Sequence, residues 1–153
     1  MDSKPARIIA NKMFKKTILF TAKRTQEKAD LEIELQQIAS NYTFAPKIHK
    51  VEKFPDRYEV TMDKIDNMCL ADMYSDDPKK IPQRIWTQIH AILTILYERE
   101  GIEYIDITGY NFIEQGNKVY IIDFGDARYK TGRINWFLKD FLSGQYEWNP
   151  DFA

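Results

Sequence analysis

Glycine is absent before Gly101, and the 153-residue chain holds only 6 of them. A loop that wraps phosphates through its backbone needs residues without side chains, and nothing in residues 7–20 could build one. Cysteine is nearly absent too. Cys69 stands alone, which excludes an intrachain disulfide and fits a reducing compartment. No apolar run approaches the length of a membrane span, and the charged N-terminus lacks the apolar stretch of a secretion signal. The chain is therefore expected in the cytoplasm, away from membranes. Excess charge is missing as well: 22 Lys and Arg face 23 Asp and Glu. That balance gives no reason to expect nucleic acid as the partner. A locally basic N-terminal quarter (Lys4, Arg7, Lys12, Lys15, Lys16, Lys23, Arg24, Lys28) reads first as a solvated face. Repeats and low-complexity stretches are not found.

What is present is an ordinary globular composition, 44% hydrophobic, with a high aromatic share of 14%. The length suits one domain, or two small lobes on a shared core. Residues 7–10 and 17–22 read as strands around a lysine-bearing turn. Residues 25–40 have helical periodicity through Leu31, Leu35 and Ile38, with Thr25 able to cap the start. Residues 47–53 and 57–62 are two further strands about a turn at Pro55. A short helical piece follows at residues 70–74. The longest helix spans residues 82–100, with Ile85, Ile89, Ile92, Leu93 and Leu96 on one face and Gly101 as its stop. A last helix near residues 133–142 leads into an aromatic segment at residues 145–153.

Two stretches carry the chemistry. The first is Tyr104-Ile105-Asp106-Ile107-Thr108-Gly109-Tyr110-Asn111 and the second is Ile121-Ile122-Asp123-Phe124-Gly125. Turn residues at Glu114-Gln115-Gly116-Asn117 and the β-branched run from Val119 to Ile122 predict a hairpin. The hairpin would bring Asn111 and Asp123 to the same end of two adjacent strands. An amide oxygen from Asn111 and a carboxylate from Asp123 are hard donors of the kind that Mg²⁺ prefers. Gly125 offers backbone freedom next to them.

An Asp-x-x-x-x-Asn stretch, an apolar strand and then Asp-Phe-Gly resembles the catalytic and metal-binding loops of the protein kinase-like superfamily. The resemblance is close over residues 104–127 and loose over residues 17–127. It implies an α+β fold, with a small β-rich N-lobe at about residues 1–62, a hinge at about 63–67 and a short helical C-lobe over about 68–153. It also implies ATP and Mg²⁺ as cofactors. Asp106 would face an acceptor hydroxyl, and Asn111 and Asp123 would hold the metal. Lys23, paired with Glu32, would position phosphates. Lys16 is the alternative lysine and Glu34 the alternative acid.

Departures from the pattern are equally informative. The Gly-rich loop is missing, Tyr104 and Ile105 stand where His and Arg are usual, and only a short stretch follows Gly125. In these respects the chain is similar to minimal atypical kinases: the RIO kinases, the KEOPS-complex kinase and compact kinase-like proteins of large DNA viruses. Host cytoplasm would follow if the source were viral. The expected activity is phosphotransfer from ATP to a hydroxyl acceptor. The alternative is an inactive pseudokinase that serves as a binding or regulatory module. Trp136, Phe137, Phe141, Tyr146, Trp148 and Phe152 are expected to form either core or a surface for a protein partner or a second copy. His49 and His90 lack paired ligand spacing and read as structural.

Overall fold

The computed structural model describes residues 12–152. The strand expected at residues 7–10 lies outside the described residues. Three antiparallel strands, β1 (Met13–Leu19), β2 (Ile48–Phe54) and β3 (Arg57–Asp63), form a sheet in the order β1-β3-β2. Strand β3 alternates as a half-buried strand should. Tyr58, Val60 and Met62 turn inward, each under 5% exposed, with Ile18 of β1 beside them. Helix α1 (Gln26–Ser40) lies behind this sheet, and Thr25 Oγ1 caps it by accepting from the Lys28 amide at 3.3 Å.

Two details differ from the sequence reading, each for a physical reason. Residues 17–22 look like a strand because they are rich in apolar and β-branched side chains. However, the β1–β3 ladder runs from Met13↔Asp63 to Leu19↔Arg57 and stops where β3 begins. Beyond it the chain turns, with the Thr21 amide donating to Arg24 O and the Arg24 amide to Thr21 Oγ1. Likewise, the buried face of α1 is Ala29, Glu32, Leu35, Gln36 and Ala39. Leu31 and Ile38 pack only partly. The small alanines let the helix approach its neighbours closely, and the buried acid is compensated from β1.

The second half is mainly helical. Helix α2 (Leu70–Met73) and a 3₁₀ turn at Pro78–Lys80 lead into α3 (Gln83–Glu100). Ile85, Trp86, Ile89, Ile92, Leu93 and Leu96 bury one face of α3. At about 1.5–3 kcal/mol per buried apolar side chain, that face contributes on the order of 10 kcal/mol before chain entropy. Gly101 ends the helix at φ 68°, a left-handed value that glycine adopts at little cost. Two small ladders and a helix frame the loops of interest. Strands β4 (Ile102–Glu103) and β7 (Arg128–Tyr129) pair antiparallel. The expected hairpin forms from β5 (Phe112–Gln115) and β6 (Lys118–Ile121) about Gly116 at φ 64°. Helix α4 (Trp136–Leu142) packs on α3. No helix among the described residues is long and apolar enough to cross a membrane.

The aromatic segment turns back onto its own chain. Tyr146 stacks on Trp86 at 5.8 Å between ring centroids, and Trp148 lies 4.6 Å from the same ring. Phe137, Phe141 and Trp148 are buried, whereas Trp136 and Phe152 remain 53% and 38% exposed.

Candidate active site

The two small ladders hold both chemistry-bearing loops at one end of the second half. The hairpin register pairs Phe112 with Ile121, and one step further the Ile122 amide donates to Asn111 O at 3.0 Å. Asn111 and Asp123 thus flank neighbouring strand ends, as expected from the spacing. Asn111 Nδ2 donates to Asp106 O at 2.9 Å, which leaves its Oδ1 without a donor among the described residues. Asp123 Oδ1 accepts from the Gly125 amide at 2.8 Å, and its Oδ2 has no donor among the described residues. Tyr104, fully buried, donates its hydroxyl to Asp123 O at 2.5 Å and so ties the two loops together. Burial, reinforced by Asp123, Asp106 and Asp126, holds that phenol protonated well above its ordinary range.

The lysine that meets Glu32 is Lys16. It sits in mid-β1 on the same face as buried Ile18, and its Nζ lies 2.5 Å from Glu32 Oε2 and 3.5 Å from Asp123 Oδ1. Burial alone would lower its pKa. Asp123 and Glu32 outweigh that effect and hold the ammonium above its ordinary value. Lys23, the first choice from sequence, is exposed in the turn after β1 and makes no ion pair with Glu32. The pairing falls to Lys16 because the strand ends earlier than its composition implies, which leaves Lys23 in the turn beyond it. Glu32 is the ion-pair acid, only 4% exposed. Its rival Glu34 is exposed and accepts from the Tyr129 hydroxyl instead.

Sequence reasoning passed over Arg24. Its guanidinium lies 3.7 Å from Glu32 Oε1 and donates to Gly125 O. Two cations from β1 and the following turn therefore hold one buried carboxylate against the Asp123 loop. Gly125 leaves room for this contact: its φ is not left-handed, but a Cβ would meet Arg24 Nη2 at 2.8 Å and Asp123 Oδ1 at 3.1 Å, so a side chain there would push the guanidinium aside. That corrects the expectation of unusual backbone angles at Gly125.

A cavity of about 410 Å³ opens between the sheet and the hairpin. Its walls are mainly apolar (Phe14, Met62, Ile65, Ile113, Ile122), and Lys16, Asn111 and Asp123 line it as well. The volume and the few polar groups suit a small-molecule site. Asp106, half-buried, stands beside it on the neighbouring loop. Burial chiefly, with help from Asp123 and Asp126 and against the Asn111 amide, raises its pKa to about 6.

The donor set also fits Mg²⁺. Among the described residues no three His, Cys, Asp or Glu side chains converge as a complete protein cage. Mg²⁺ does not need one, because it is commonly held by one or two carboxylates with phosphates and water completing the shell. His49 bonds Asp63 at 2.6 Å and His90 meets Leu142 O at 3.0 Å, both structural contacts.

The solved structure of the Cydia pomonella granulovirus kinase PK-1 matches with a TM-score of 0.58 at 16% sequence identity. The fold is kinase-like. The match covers 76% of this chain and 43% of that kinase, so the chain spans less than half the length of its structural neighbour. No family model matches the sequence, and no curated protein does.

Proposed function

We propose that the chain is an ATP- and Mg²⁺-dependent phosphotransferase of the minimal kinase type, acting on a hydroxyl acceptor. One observation carries the reading: Lys16 and Asp123, distant in sequence, meet at the wall of an apolar cavity that Asn111 also lines, and buried Glu32 pairs with that lysine. Adenine would occupy the apolar part, next to residues 63–65. The Lys16 ammonium, fixed by Glu32, would orient phosphate oxygens. Asn111 Oδ1 and Asp123 would hold Mg²⁺, which supplies charge neutralisation for the transferring phosphoryl group. Asp106 would accept the acceptor's proton or orient its hydroxyl. A protein partner or second copy, if one binds through the aromatic segment, would meet Trp136 and Phe152.

The test is transfer of labelled γ-phosphate from ATP to the chain itself, to casein and to water. The expected result is Mg²⁺-dependent label that Asp106→Asn lowers by about 10²–10⁴-fold. Label indifferent to Asp106 would contradict the assignment. The second reading, a pseudokinase module, is favoured by the absence of glycine before Gly101. It predicts Mg²⁺-ATP binding or partner binding without transfer.

Asp106 also predicts a pH dependence. A base must be ionised, so kcat/KM should fall with unit slope as pH drops below about 6. The stability sign is opposite to that of a salt-bridged carboxylate. The folded-state pKa lies above the ordinary value of 3.8, so the ionised group weakens the fold fully above about pH 6, and the penalty disappears as pH falls below 3.8. Asp106→Asn should therefore raise Tm at pH 8 more than at pH 4. An equal shift at both values would remove the claim that burial raises this carboxyl.

A further inference from the structure

We propose that Asn149, in the segment after α4, is a positioning residue for Asp106, which makes that segment part of the phosphotransfer site. The loop around Asp106 belongs to no helix or strand, so its backbone must find other partners. Asn149 supplies two of them. Its backbone amide donates to Ile107 O at 2.8 Å and its Nδ2 to Ile105 O at 2.8 Å. These carbonyls bracket Asp106 on either side. Asn111 Nδ2 takes the carbonyl between them, that of Asp106 itself, at 2.9 Å. Three successive carbonyls are thus held by two asparagines, one from the hairpin and one from a segment more than forty residues away.

The arrangement is fixed at both ends. Asn149 is 0% exposed, and its Oδ1 accepts from the Asp151 amide at 3.0 Å, so the amide group has one orientation that satisfies it. Trp148 next to it lies against Trp86 of α3. Helix α3 therefore positions Asn149, and Asn149 positions the Asp106 backbone. A loop held only by its own short-range bonds would wander by more than the fraction of an ångström that acceptor alignment allows. No nucleotide-cavity wall includes Asn149, so the effect falls on transfer and not on nucleotide binding.

This inference rests on the phosphotransferase reading, and its test separates the two. Asn149→Asp keeps the volume and the Asp151 contact but turns an acceptor toward Ile105 O. Asn149→Ser keeps an acceptor for the Asp151 amide and, with some lost volume, deletes the reach to Ile105 O without burying a charge, so it decides the matter if the aspartate variant fails to fold. Hydrogen exchange of residues 104–111 is measured together with Mg²⁺-ATP affinity and kcat. The expected result is exchange at least tenfold faster in residues 104–111 but unchanged in β1–β3, ATP affinity within twofold, and kcat lower by about 10²-fold. Unchanged exchange in that loop would overturn the proposal. So would fast exchange with undiminished kcat. If the parent chain transfers no phosphate, the phosphotransferase reading fails, and with it the catalytic half of the proposal, while exchange still decides whether Asn149 holds the loop.

Discussion

Lys16→Met is expected to lower kcat/KM for phosphotransfer by about 10²–10³-fold, the range found when a preorganised donor to developing charge is removed. Lys23→Met is expected to leave it within about twofold. The contrast follows from position: Lys16 lies 2.5 Å from Glu32 and 3.5 Å from Asp123, whereas Lys23 is exposed in a turn. Methionine preserves the aliphatic stem against the sheet and removes only the charge. Glu32 then keeps a single cation, Arg24, at 3.7 Å. Part of the cost of a bereft buried acid will show as stability, about 1–3 kcal/mol. Thermal melting must therefore accompany the kinetics. Loss of activity at a temperature where the variant remains folded supports the assignment. Equal effects of the two lysine substitutions would return the role to an open question.

The second large effect is a split between two aspartates. Asp123→Asn should abolish Mg²⁺-dependent ATP binding, because an amide keeps the shape but lacks the charge that the metal needs. Asp106→Asn should spare binding and lower transfer by about 10²–10⁴-fold, as for a lost acid or base. The structure gives a reason to expect separation. Asp123 lines the cavity and approaches Lys16, while Asp106 lies outside the cavity wall on the adjoining loop. Both variants should fold, since each replacement is isosteric and Asp123 is partly exposed. Similar small effects of both on binding and transfer would argue that the two acids are only turn residues.

Much of this site was legible in the sequence because its strongest signals are local. The Asp106-to-Asn111 spacing, the hairpin turn at Gly116 and the strand leading into Asp123 all lie within one short stretch. Helix α3 was equally clear, since its apolar face repeats strongly and a left-handed glycine ends it. Lys16 was harder. Two lysines near one strand differ only in where the strand stops, and that is set by the start of β3, some forty residues later. The buried face of α1 was misread for a related reason. Alanine and a neutralised glutamate face inward there, and neither advertises burial. Arg24 and Asn149 left no readable signal, because both act through backbone carbonyls of distant loops. Composition left the aromatic segment open as core or interface, and only the fold places Tyr146 and Trp148 against Trp86 of α3.

On the proposed reading, the cavity beside Lys16, Asn111 and Asp123 holds ATP through Mg²⁺. Isothermal titration of the chain with ATP, with Mg²⁺ and then with chelator, tests it most directly. The account predicts one-to-one binding that chelator weakens strongly and that Asp123→Asn eliminates. ATP binding that is absent under both conditions, or that is indifferent to both Mg²⁺ and Asp123, would contradict it.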